Sequence, residues 1–117
     1  MSNAYQLDVS AISQELRIRP EIYVKIVVSF AQNLTAKMAA LNTAVIGNDA
    51  QQMRIILHEI KGTAGNLRLK ELMVTETAMH DALLNSEPQE KISKLFEGLN
   101  AEVLRLQEFI KTLPPAK

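Results

Sequence analysis

Cysteine is absent from the chain, so His58 and His80 are the side chains whose ordinary pKa lies near neutrality. A neutral imidazole is a nucleophile, and a value near about 6.5 leaves most of it neutral at pH 7. A histidine standing in solvent can therefore accept a group such as phosphoryl and pass it on. His58-Glu59 also opens the zinc motif His-Glu-x-x-His, but position 62, where the second histidine would fall, is Gly62. With two histidines and no cysteine, a three-ligand zinc site would need carboxylates, and no metal site is expected.

The stretch from Arg54 to Leu72 positions His58. On a helix at about 100° per residue, Met53, Ile56, Leu57, Ile60, Ala64 and Leu67 fall within about 60° of one line, an apolar stripe that must face a core. His58 falls about 140° from that line and should point outward, among Arg54, Ile55, Lys61, Gly62 and Gly65. Each glycine inside a helix costs about 1 kcal/mol against alanine, so Gly62 and Gly65 need a reason. One reading is space: bare backbone beside His58 frees the imidazole and lets another surface approach. The other is that the glycines end the helix, glycine being the usual residue just past a helix C-terminus. Lys61 follows His58 by three residues and Arg54 precedes it by four, so either could meet added phosphate oxygens or an acidic partner, or be an ordinary solvated charge. Ile55 is apolar on this polar side; beside Gly62 it could form a small docking spot, although a lone exposed apolar residue means little.

The run His58-Glu59-Ile60-Lys61-Gly62-Thr63-Ala64, followed by Leu67, resembles the signature of histidine phosphotransfer (HPt) domains. That signature is His, any residue, Leu or Ile, Lys, Gly, two small residues and an apolar residue. The resemblance extends more weakly over residues 7–112. It implies that His58 is a phosphoacceptor, carrying the phosphoryl group on Nε2 between aspartates of response-regulator receiver domains. A hybrid sensor histidine kinase is a further implied partner. The chain would need no cofactor of its own, because Mg²⁺ and most of the catalytic apparatus belong to the receiver. The sequence fits that division, having no glycine-rich phosphate loop and no evident acidic cluster for Mg²⁺. It would be a carrier and not a kinase. Lys61 and Gly62 would support His58, while Arg54, Ile55, Gly65 and Arg68 would dock the partner. Two positions depart from the family. Several HPt domains have a Gln or Glu twenty-two residues after the histidine, holding its Nδ1; here that residue is His80. The helical pattern turns His80 inward, as it does Glu76 one turn earlier, so His80 either supports His58 or is a partly buried histidine bonded to Glu76. Arg68 stands where the family often has glycine and would add positive charge near the docking face. The competing function is a noncatalytic helical interaction module in which His58 is a bystander.

Composition narrows the alternatives. A chain of 117 residues is one domain with a single core. Thirteen basic and thirteen acidic residues give zero net charge, which argues against nonspecific nucleic-acid binding. There is no Trp to stack on bases. The most apolar run, residues 22–31, contains Lys25 and Ser29 and is too short to span a bilayer, and the N-terminus does not read as a signal peptide. A cytoplasmic monomer is the expectation.

The remaining pattern is helical. Residues 1–6 are expected to be disordered or tag-derived, Ser2-Asn3-Ala4 resembling a cloning remnant, and residues 114–117 to be a tail. Leu7-Asp8 opens a short helix capped by Asp8, with Ile12 and Leu16 as its buried residues. Pro20 starts a helix running to Ile46, whose stripe is Tyr23, Val27, Phe30, Leu34, Met38, Leu41 and Val45. Val24 and Val28 widen it, to receive the first helix or a partner. Asp49 caps the His58 helix, with Gln52 placed as in a capping box. A fourth helix spans about Leu69 to Asn85, with Leu69, Leu72, Met73, Met79 and Leu83 inward. Ser86 or Glu87 caps the last helix, where Ile92, Phe96, Leu99, Val103, Leu106, Ile110 and Leu113 form a seam that Pro114-Pro115 ends. No segment alternates with a period of two. The pattern predicts an all-α fold over residues 7–113, an antiparallel four-helix bundle with a short additional N-terminal helix.

Overall fold

The computed structural model describes residue 5 and residues 7–113. The expectations for residues 1–4, 6 and 114–117, including the stop at Pro114-Pro115, lie outside the described residues. The described chain is all-helical: α1 (Val9–Leu16), α2 (Pro20–Ile46), α3 (Ala50–Asn66), α4 (Lys70–Leu84) and α5 (Gln89–Ile110). Among the described residues no helix is long and apolar enough to cross a membrane.

The helices pack around one core. α2 lies against α3 and α5, α4 lies against the same two, and α1 lies against α2. Every residue of the expected α2 stripe is buried, with Tyr23, Val27, Leu34 and Leu41 fully so. Val24 is buried and Val28 half-buried. On α3 the inward residues are Met53, Ile56, Leu57, Ile60 and Ala64. Fully burying a Leu or Ile side chain contributes about 1.5–3 kcal/mol, so Leu57 and Ile60 alone fix which way α3 faces. A buried hydrogen bond ties this arrangement together: the Tyr23 hydroxyl donates to the Leu67 carbonyl at 2.6 Å, pinning α2 to the end of α3. Burial pushes the Tyr23 pKa up to about 12, with Arg68 opposing the shift.

Two local expectations need correction. Ile12 and Leu16 are only half-buried, because α1 covers α2 from outside; the fully buried residue of α1 is Ser13. Its hydroxyl is satisfied within the helix, donating to Val9 O at 2.7 Å and Ser10 O at 3.1 Å. The cap position of α5 belongs to Pro88, not Ser86 or Glu87, and no side chain bonds there. Ser86 is instead in the left-handed region at φ 54°, closing the end of α4. The caps of α1 and α3 are as expected: Asp8 accepts from Ala11 N at 2.9 Å and Asp49 from Gln52 N at 3.1 Å. Tyr5 lies in the stretch expected to stay outside the fold, yet its ring packs on Phe109 with centroids 5.2 Å apart, under the Arg105 guanidinium.

The turns share one feature. Arg17, Asn48, Arg68 and Ser86 all have positive φ, and no glycine does. The end of α3 shows the pattern: Leu69 N donates to Ala64 O at 2.9 Å and Arg68 N to Gly65 O at 3.1 Å, the paired bonds of a Schellman motif with Arg68 in the left-handed position.

Candidate functional site

His58 is exposed at the middle of α3, with Arg54 and Ile55 a turn before it and Lys61 and Gly62 a turn after, all exposed. The apolar stripe on the opposite side is sealed in the core, so the helix cannot rotate to hide the imidazole. On the helical wheel the five residues from Arg54 to Gly65 singled out above fall within about 60° of His58. The structure therefore brings His58, Lys61, Gly62, Arg54, Ile55 and Gly65 onto one face.

The glycines do not end the helix. α3 continues through Asn66, and Arg68, not a glycine, takes the left-handed position after it. Gly62 is helical, and a Cβ built there would meet nothing within 4 Å. No contact inside the protein accounts for its cost. A Cβ at Gly65 would meet the Met73 side chain at 3.6 Å, which is ordinary contact. Gly98 on α5 is equally open, so openness alone marks no site; Gly62 differs in lying one turn from an exposed histidine.

The charges of this face are unpaired. Among the described residues Arg54, Lys61 and Lys25 have no carboxylate within 4.0 Å, whereas Lys37 holds Glu59 at 3.0 Å. Among the described residues His58 itself has no hydrogen bond or ion pair. Two cations flanking an exposed imidazole, with no acid of their own, favour an anion arriving at that ring.

The chain matches no family model, no curated protein and no solved structure.

Two expected site residues sit elsewhere. Arg68 does not present a free charge to this face. Its Nε meets Glu15 at 2.7 Å and its Nη1 donates to Gly65 O at 2.9 Å, so the guanidinium ties α1 to the end of α3. The backbone explains why: a nonglycine residue in the left-handed region costs about 1–2 kcal/mol, and these contacts offset it. His80 is half-buried on α4, but no hydrogen bond joins it to His58 or to Glu76 among the described residues. Glu76 beside it is fully buried. One of its oxygens accepts from Thr77 at 3.3 Å and the other has no partner among the described residues. Burial raises the Glu76 pKa, opposed by the Thr77 hydrogen bond and by the positive fields of His80 and Lys61.

A groove of about 390 Å³ between α2 and α3 was missed by reading α3 alone. Phe30 and Ile26 form its apolar part, with Lys25, Ser29, Asn33 and Thr63 around them. The signal was present in the sequence, since Ile26 falls off the buried α2 stripe; it is 42% exposed.

Proposed function

We propose that the protein is a phosphorelay carrier of the HPt kind, accepting a phosphoryl group on His58 from a receiver-domain aspartate and passing it to another receiver. The fold that suits this role is an antiparallel four-helix bundle of α2 to α5 with α1 as a cover. The observation that carries the reading is Gly62, a helical glycine with open space where its side chain would be, one turn from an exposed histidine. Its cost of about 1 kcal/mol is accounted for if a second protein must come close to the ring.

The transfer is a substitution at phosphorus. The neutral His58 Nε2 lone pair attacks the acyl phosphate, the bond to the aspartate oxygen breaks, and the carboxylate leaves. Lys61 and Arg54 meet the phosphoryl oxygens or acidic groups of the receiver. The receiver supplies Mg²⁺, which neutralises charge on the transferring group. The chain acts as a monomer in the cytoplasm and binds neither nucleic acid nor membrane. Incubation with acetyl-phosphate-charged receivers tests the proposal. Acid-labile phosphate is expected on the wild type and absent from His58→Gln.

A second reading, a noncatalytic helical interaction module, draws on one observation: among the described residues nothing hydrogen-bonds the His58 ring to orient it. Failure of every receiver to label the wild type would favour it.

A further inference from the structure

Glu76 is the buried titratable group that the transfer chemistry leaves unused. It is fully buried, and one carboxylate oxygen has no hydrogen-bond partner among the described residues. An unpaired buried acceptor is destabilising, so the position needs a reason. The fold sets it close to the His58 face. Three residues separate α3 from α4, and the two helices pack together with Gly65 against Met73. Counted along both helices away from that contact, Lys61 comes level with Thr77, beside Glu76, and His58 level with His80. The charged groups acting on Glu76 are His80 and Asp81 from its own helix and Lys61 from α3; among the described residues none comes from α2 or α5. Burial raises its pKa, the Thr77 hydrogen bond, His80 and Lys61 lower it, and Asp81 raises it. His80 and Asp81 stay with Glu76 because they share its helix. Lys61 is exposed and has no ion pair among the described residues, so its ammonium is free to swing on a flexible stem.

We infer that Glu76 is a positioning residue that acts through Lys61: when a phosphoryl group arrives on His58, the Lys61 ammonium turns to its oxygens and away from Glu76, and the buried carboxylate takes up one proton from water. When the group departs, the proton is released and Lys61 is drawn back. This rests on the phosphoryl-carrier reading and adds a proton to its bookkeeping. The bond from phosphorus to His58 Nε2 forms as the bond to the aspartate oxygen breaks, and the proton is exchanged with solvent, so no further reactant is needed. The phosphorylated form then binds more protons than the free form. Lowering the pH through the Glu76 titration therefore shifts the transfer equilibrium toward the phosphorylated carrier.

The test is the Glu76 carboxyl titration, followed by carbon-13 NMR in the full-length protein before and after phosphorylation by acetyl-phosphate-charged receiver domains. The midpoint is expected to rise by at least about half a pH unit on phosphorylation, which is about threefold in proton affinity. In Lys61→Gln, a change at an exposed site, it should move less than about half as far. In parallel, the equilibrium ratio of phosphorylated carrier to charged receiver should climb about threefold more in the wild type than in Glu76→Gln as pH falls across that titration. Circular dichroism confirms the fold of both variants. A wild-type midpoint that phosphorylation leaves in place, or one that moves as far in Lys61→Gln, overturns the inference while leaving His58 as acceptor. A wild type that no receiver labels overturns the carrier reading, and this inference with it.

Discussion

Glu76 is a carboxyl group with one unpartnered oxygen in a protein interior, where an unsatisfied polar group costs about 1–3 kcal/mol. Its raised pKa has a direct consequence for stability. The folded state binds the proton more tightly than the unfolded chain does. The stabilisation is therefore full below the unfolded carboxylate pKa and is lost as pH rises through the folded value. Glu76→Gln removes the titration. Its denaturation midpoint should stay flatter than that of the wild type across that window and exceed it at neutral pH, as read by urea melts at a series of pH values. Lys61 faces both ways at this scale: it stands in solvent beside His58, and its field lowers the Glu76 pKa.

Helix α3 is the element on which stability and the proposed role oppose each other. Gly62→Ala introduces no clash and removes a helix-interior glycine. It should raise unfolding free energy by about 1 kcal/mol, measured by urea titration, and at the same time slow phosphoryl transfer from a charged receiver. A variant that is stabilised with unchanged transfer would return Gly62 to the status of Gly98. Most of the element scale was legible in the sequence. Apolar spacing fixed α2 at Pro20–Ile46, and the Asp8 and Asp49 caps were readable because an Asx side chain meeting the first turn is a local event. What could not be read depended on neighbours. Whether Gly62 and Gly65 ended α3 turned on Arg68, whose left-handed backbone is supported by Glu15, fifty-three residues away. The groove belongs to two helices at once, so reading α3 by itself could not reveal it.

For the molecule as a whole, zero net charge hides a local imbalance. Among the described residues seven of the cations pair with carboxylates, Lys37 with Glu59 next to His58 included, while Arg54, Lys61 and Lys25 are unpaired around that face and Arg17 and Lys70 are unpaired away from it. Attraction between exposed charges falls off over about 10 Å at 0.1 M salt and about 3 Å at 1 M. Transfer from an acidic receiver should therefore slow as salt is raised, through KM and not kcat, and stopped-flow labelling across a salt series measures it. The positive-φ turns carry a separate consequence. Nature has placed arginine, asparagine and serine at the left-handed joints where glycine would rest without strain, and has set Gly62 and Gly98 inside helices. An engineer seeking a sturdier version could thus work at Arg17 or Ser86 alone, far along the chain from His58, and toughen the scaffold without altering the surface that a partner would meet.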